Sequence, residues 1–149
     1  MAQELTRPPQ MPMDARQKYL SEAHVGILSV AREEQGPLSL PIWYSYEPGE
    51  EIRLITRGDS PKAEIIRRAG RVTLCVQSPE PPYRYVTAEG PIRIQDTVTS
   101  AEREALAARY LGPEFGAMFV QATAEATPIM IAVYMRPESW LSQDQTNWP

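Results

Sequence analysis

The chain has 149 residues, the length of one ordinary domain, with 42% apolar and 23% charged residues. Its formal net charge of −4 argues against a nucleic-acid-binding surface, which normally carries a basic patch. One cysteine, Cys75, and one histidine, His24, are present. These counts exclude an intramolecular disulfide and argue against a Cys/His zinc cluster or a Ser-His-Asp or Cys-His site. Demanding chemistry is therefore expected to come from a bound cofactor.

The N-terminal segment lacks the apolar stretch of a signal peptide, and no apolar run reaches the length of a membrane span. We therefore expect no membrane-spanning helix and a cytoplasmic location. Residues 1–13 are predicted to form an irregular arm. Residues 14–149 are predicted to form a single domain that ends in a tail.

Short helical and extended segments follow one another along the chain. Ser60 suits the cap before one helix and Gly70 the position after it, because serine caps free N–H groups and glycine accepts a left-handed conformation. Thr99 and Glu102 form a capping box that opens another helix. In chain order we predict a helix at 14–23, strands at 24–32, 37–47 and 51–57, a helix ending before 70, strands at 71–77 and 83–95, a helix at 99–111, a further helix to 124, a strand at 127–136 and a tail.

The predicted strands are joined by short connections, which favour antiparallel pairing. The strand 37–47 alternates well, and a bend is expected near Gly90 and Pro91 in the strand 83–95. Six antiparallel strands in one domain close most simply into a barrel, which removes exposed edges. The predicted class is therefore mainly β with short helices, in a six-stranded antiparallel split barrel. The residues of strand 37–47 that are predicted to point to one side of it are Leu38, Leu40, Ile42, Tyr44 and Tyr46.

The segment 55–62 carries the strongest chemical signal. A strand ends with Thr56 and Arg57, and a helix then begins with a cap at Ser60 and with Lys62 in its first turn. The positive end of a helix binds anions, and the basic side chains would add charge beside it. A capped helix start with solvated basic side chains explains the same spacing equally well.

One further segment has a structural and a functional interpretation, and another has a structural one only. Pro41 interrupts a strand, so a planar ring could lie against this strand beside Trp43. An edge strand with a core tryptophan is the simpler interpretation of the same residues. The polar run from Glu102 through Arg103 to Glu104 is predicted to be a solvated helix face.

Together these segments resemble the pyridoxamine-5′-phosphate-oxidase-like proteins with the FMN-binding split-barrel fold. Within that family the chain is most similar to the small actinobacterial branch that includes deazaflavin-dependent reductases. The resemblance covers nearly the whole chain, and the order and spacing of the motifs are more specific than any one of them. The segments that carry it are 40–44, 52–56, 60–63, 71–77, 85–91 and 136–140.

The resemblance implies a homodimer with two equivalent cofactor sites at the subunit interface. It implies that the cofactor phosphate is held by Thr56, Arg57, Ser60 and Lys62. It implies that the residues along the cofactor ring are Pro41, Ile42 and Trp43, with Gln77 near the ring and Trp140 completing the site from the other subunit. The chain ends without the basic C-terminal motif of true pyridoxamine-phosphate oxidases, which argues against vitamin B6 oxidation.

The resemblance favours a flavin- or deazaflavin-dependent oxidoreductase that exchanges hydride with a small conjugated substrate. The deazaflavin coenzyme is slightly favoured over FMN because of the branch resemblance. No residue is assigned as a catalytic proton donor, and no metal is expected. The alternative is a non-catalytic carrier of a flavin or another planar ligand. An oligonucleotide-binding barrel would need a basic face with stacking aromatics, which the acidic balance opposes.

Overall fold

The computed structural model describes residues 9–147. Residues 1–8 of the predicted arm and Trp148 of the predicted tail lie outside this part of the chain. No helix within it is long and apolar enough to cross a membrane. Its elements are helix α1 (Met13–Ser21), strands β1 (Gly26–Val30), β2 (Leu38–Ile42) and β3 (Ile52–Arg57), helix α2 (Pro61–Ala69), strands β4 (Arg71–Gln77) and β5 (Arg84–Gln95), helices α3 (Ser100–Leu111) and α4 (Pro113–Ala122), a 3-10 helix (Ala124–Ile129), and strands β6 (Met130–Met135) and β7 (Ser139–Asp144).

The predicted helix boundaries of α2 and α3 are confirmed by their caps. The Ala63 N–H donates to Ser60 Oγ, and Gly70 adopts a left-handed φ of 67° after α2. Thr99 and Glu102 form the predicted capping box before α3. Local turn and cap chemistry therefore fixes where these two helices begin and end.

The sheet is a curled, split barrel whose strands pair antiparallel in the order β2-β1-β4-β5-β6-β3. Its two ends meet where Ser45 and Arg53 exchange two backbone hydrogen bonds of 2.9 Å. This bridge brings the chain after β2 against β3. The predicted six-stranded antiparallel split barrel is confirmed.

A seventh strand, β7, occupies the segment that we predicted as a tail, so that part of the prediction is wrong. β7 pairs with the first half of β5, from Arg84 to Glu89. Its side chains do not show the alternation of a half-buried strand, because Leu141 is 52% exposed while Ser142 is fully buried. The sequence pattern therefore carried no strand signal, and pairing with β5 decides the conformation.

β6 and β7 run along one edge of β5 and are separated by a bulge. Ile92 pairs with Met135 and Glu89 pairs with Ser139, so β5 has two residues between these pairs and the partner has three. At this point a Cβ atom on Gly90 would lie 1.7 Å from the Arg136 carbonyl oxygen. Only glycine allows the two backbones to approach so closely, and the predicted bend lies here.

The core lies between α1 and the inner face of the barrel. The predicted alternation of strand 37–47 is confirmed, since Ile42, Tyr44 and Tyr46 are all buried. The Tyr44 hydroxyl donates to the Leu20 carbonyl at 2.6 Å, and burial raises the pKa of this phenol well above its usual value. One aromatic side chain thus ties the end of α1 to the barrel.

We predict that Gly90→Ala lowers the free energy of unfolding by about 3 kcal/mol, because the added methyl group would displace the Arg136 backbone. Urea unfolding at equilibrium measures the change. Gly36→Ala is the matched control, since nothing lies within 4 Å of a Cβ atom there; its effect should stay within about 0.5 kcal/mol. Equal stability of the two variants would contradict the close approach at Gly90.

Candidate functional site

A cavity of about 420 Å³ lies between the barrel and the helices α3 and α4. The barrel side includes the three residues predicted to run along a planar ring, Pro41, Ile42 and Trp43. Ile55 of β3 and Met130 of β6 extend this wall. The volume falls within the range of about 300–1,000 Å³ found for small-molecule pockets. The helices provide the other side through Arg103, Leu106, Ala107 and Phe119.

The hairpin of α3 and α4 is held rigidly enough to form one wall. Gly112 joins the helices with a φ of 84°, and a Cβ atom on Gly116 would lie 2.7 Å from the Ala108 nitrogen. The two helices therefore pack backbone to backbone. Arg53 Nη1 on β3 lies 3.3 Å from Glu102 Oε2, and this ion pair fixes the start of α3 against the barrel.

Trp43 is fixed by two aromatic rings of the hairpin. Its ring stacks on Tyr110 with 4.9 Å between centroids and 7° between planes, and Phe119 lies against it at 5.8 Å. The Tyr110 hydroxyl accepts the Tyr44 N–H at 3.0 Å and lies 2.8 Å from the His24 carbonyl oxygen. The Tyr110 hydroxyl thus replaces a neighbouring strand as the hydrogen-bond partner of the Tyr44 backbone, which explains why β2 ends before Trp43.

Arg103 is buried, so the prediction that it lies on a solvated helix face is wrong. It is 6% exposed, and its guanidinium donates to the Thr123 carbonyl, the Thr123 hydroxyl and the Thr127 hydroxyl at 2.8 to 3.0 Å. Burial lowers the pKa of this guanidinium, although an arginine keeps its charge at any ordinary pH. The packing of α4 back onto α3 buries Arg103, and this tertiary contact leaves no local sequence signal.

The predicted phosphate-binding segment begins where the cavity wall ends, because Arg57 pairs in register with Met130. Two of its polar groups are already partnered. Ser60 Oγ accepts the Ala63 N–H at 3.1 Å and donates to the Arg57 carbonyl at 2.7 Å. The Arg57 guanidinium makes two hydrogen bonds of 3.1 Å to the Asp59 carboxylate. An anion bound here would have to compete with these contacts.

Thr56 and Lys62 differ from their neighbours in this segment. Thr56 is 5% exposed on β3. Lys62 is half-buried in the first turn of α2, and burial lowers the pKa of its ammonium group. Within residues 9–147, Lys62 has no carboxylate partner. Its ammonium is therefore the charge in this segment that no acidic side chain neutralises.

Gln77 and Trp140 lie away from the cavity in the same chain. Gln77 is exposed at the end of β4, opposite Tyr85. Trp140 is half-buried on β7, edge-on to Tyr46, and lines a separate cleft of about 800 Å³. One subunit thus brings Pro41, Ile42 and Trp43 together near the helix start and leaves the other two residues apart. The part of the chain described here places no three His, Cys, Asp or Glu side chains as a metal site.

We predict that Tyr110→Phe lowers the free energy of unfolding by about 2 kcal/mol, because it leaves the Tyr44 N–H without its acceptor. The change is measured by thermal or urea unfolding. Tyr83→Phe serves as the control, since the Tyr83 side chain is 47% exposed and its loss should cost less than about 0.5 kcal/mol. A Tyr110→Phe protein as stable as the control would show that the hydroxyl does not hold the hairpin on the strand.

No family model matches the sequence, and no curated protein matches it either. Solved structures do match. An F420 reductase is 23% identical with a TM-score of 0.71, covering 84% of this chain and 94% of its own. An FAD-binding protein from Mesorhizobium loti is 16% identical with a TM-score of 0.65, covering 91% and 95%. A Listeria innocua protein described as a putative pyridoxamine 5′-phosphate oxidase is 13% identical with a TM-score of 0.62, covering 87% and 96%. The chain therefore has the split-barrel fold of the pyridoxamine-5′-phosphate-oxidase-like and flavin-binding proteins that its sequence resembles.

Proposed function

We propose that the chain is a flavin- or deazaflavin-dependent oxidoreductase that transfers hydride between its cofactor and a small conjugated substrate. The observation that carries this proposal is the apolar cavity beside Pro41, Ile42 and Trp43, whose wall ends at Met130, opposite Arg57 and close in sequence to the basic start of α2. A planar ring and a phosphate-bearing tail need these two environments side by side. A flavin or deazaflavin supplies the hydride chemistry, and the protein supplies binding, orientation and exclusion of water.

The cavity suits a flat apolar ring. Trp43 is locked between Tyr110 and Phe119, so this wall keeps its shape without a ligand. Pro41 has no N–H group, so no backbone donor is left unpaired beneath a ring at that position. A preformed wall lowers the entropic cost of binding, because few side chains must be ordered.

The phosphate would lie at the start of α2. Lys62 contributes a charge that no acidic side chain between residues 9 and 147 offsets, whereas Arg57 and Ser60 must exchange present partners for the phosphate. Thr56 is nearly buried on β3, opposite Ile131, so its side chain is the least accessible of the four to a phosphate. Lys62 is therefore the residue on which cofactor affinity depends most.

Deazaflavin is favoured over FMN as the cofactor. The branch resemblance supports the deazaflavin. An F420 reductase has the same fold, with a TM-score of 0.71, and F420 is the deazaflavin coenzyme. The FAD-binding neighbour keeps a flavin nucleotide as the second choice.

The alternative function is a carrier that binds a flavin or another planar ligand without turnover. One observation favours it: the described residues around the cavity include no aspartate, glutamate, histidine, cysteine or tyrosine that could move a proton. Hydride transfer does not require such a group on every substrate, and solvent can supply the proton. A bound cofactor that stays inert toward every donor and acceptor would favour the carrier.

We propose further that two copies of the chain form a dimer with the cofactor at their interface. Large apolar side chains stand exposed on α4 beside the cavity: Phe115 is 64%, Met118 56% and Phe119 43% exposed. Exposed apolar groups clustered on one helix are typical of an interaction surface. Gln77 and Trp140, which do not line the cavity of their own chain, would complete the site of the partner.

We predict that Lys62→Ala weakens binding of the deazaflavin coenzyme and of FMN by about tenfold, because a charge-assisted contact to phosphate is lost. Fluorescence titration measures the affinity. The sequence offers a matched control, since its only other lysine, Lys18, lies exposed on α1. Lys18→Ala should bind cofactor as the wild type does, and both variants should keep their stability to within about 1 kcal/mol. Unchanged affinity in Lys62→Ala would refute the phosphate assignment.

We predict that the protein sediments as a dimer at micromolar concentration. Sedimentation velocity distinguishes a monomer from a dimer by mass, and is measured with and without whichever of the deazaflavin coenzyme and FMN the protein binds. A monomer that still binds the cofactor would rule out a site at a subunit interface while leaving the cavity assignment intact.

A further inference from the structure

The Arg103 guanidinium is a buried cation without a counter-ion. Within residues 9–147 it makes no ion pair, and its neighbour Glu102 is engaged with Arg53, Gln95 and Thr99. Its three hydrogen-bond acceptors are the neutral oxygens of Thr123 and Thr127. A buried charge that only neutral groups solvate carries a desolvation cost that an anion would offset.

Arg103 also faces the cavity. It shares with Leu106 and Ala107 the face of α3 that lines it, as expected for positions separated by three and four residues. Arg103 is the one charged residue among the described residues of that lining. An otherwise apolar wall thus contains a single positive group.

The hydrogen bonds of Arg103 leave one edge of the guanidinium free. Nη1 donates to the Thr123 carbonyl and the Thr127 hydroxyl, and Nη2 donates to the Thr123 hydroxyl. The Nε–H has no acceptor among the hydrogen bonds of the described chain, and Nη2 has one acceptor for its two N–H groups. Nε and Nη2 form the edge of a guanidinium that can bind both oxygens of a carboxylate.

We propose that Arg103 binds the carboxylate of a substrate that enters this cavity next to the cofactor ring, so that the substrate is a planar, conjugated carboxylic acid. That this carboxylic acid is a substrate rests on the proposed function, whereas the presence of a carboxylate-binding site at Arg103 does not. The same edge of a guanidinium can bind a phosphate, but phosphate is the less fitting anion here because we propose a separate phosphate site at the basic helix start.

A second arginine of α3 shows what a purely structural role looks like. Arg109 donates to the carbonyl oxygens of Ser21 and Glu22 and packs over the Tyr44 ring. It does not line the cavity. Arg109, which is half-buried, therefore provides a control for the loss of a hydrogen-bonded arginine from the same helix.

The test compares 2-naphthoate with 2-naphthamide, two probes of equal shape that differ in charge. Isothermal titration calorimetry at neutral pH measures both affinities for the wild type, Arg103→Met, Arg103→Lys and Arg109→Met. The wild type and Arg109→Met should bind the carboxylate about tenfold more tightly than the amide. Arg103→Met should lose this preference. Arg103→Lys keeps the positive charge but lacks the two parallel N–H donors, so it should keep only part of the preference for the carboxylate. If Arg103→Met does not fold, Arg103→Lys provides the test.

Each of three results would overturn the proposal: no preference in the wild type, a full preference in both Arg103 variants, or an equal loss in Arg109→Met. Titration of the wild type with FMN and with the deazaflavin coenzyme separates this test from that of the proposed function. Carboxylate preference without cofactor binding would support the Arg103 site and reject the oxidoreductase. Cofactor binding without carboxylate preference would reject the Arg103 site alone.

Discussion

The backbone contact between Gly90 and Arg136 is the constraint on which the barrel depends. It lets the chain from Met130 to Asp144 follow β5 along its whole length, with a one-residue bulge at the point of closest approach. β5 can then pair with β4 in one half and with β6 in the other. β3 in turn pairs with β6, and its end leads to the basic helix start. The position of the candidate phosphate site thus depends on a contact at β5, two strands away from β3 in the sheet.

The cavity has a second origin, in the helical hairpin outside the barrel. The Tyr110 hydroxyl takes over the backbone N–H of Tyr44 where the β2 ladder ends, and its ring fixes Trp43. The hairpin and the strand therefore form one rigid wall on each side of an apolar space. Such a space strengthens an electrostatic contact within it once a bound ligand has displaced the water. A single buried arginine at its edge then has a large influence on what can bind.

The sequence predicted those features that depend on neighbouring residues. The caps of α2, the bend at Gly90 and the alternation up to Tyr46 all follow from local conformational preference and are confirmed. β7 could not be predicted, because a strand that pairs beside a bulge needs no regular apolar alternation. Arg103 and Tyr110 could not be recognised either. The burial of Arg103 depends on α4 folding back onto α3, whereas the run from Glu102 to Glu104 reads as polar and solvated. The contact of Tyr110 with Trp43 joins residues that lie far apart in the sequence.

The central claim is that a flavin-type ring lies in the cavity beside Pro41, Ile42 and Trp43 with its phosphate at Lys62. A crystal structure of the protein grown with the deazaflavin coenzyme, and with FMN in a parallel experiment, tests it most directly. We expect density for the ring against this strand and for the phosphate at the start of α2. A cofactor bound in the separate cleft beside Trp140 of the same subunit, or a protein that takes up neither cofactor, would contradict the account.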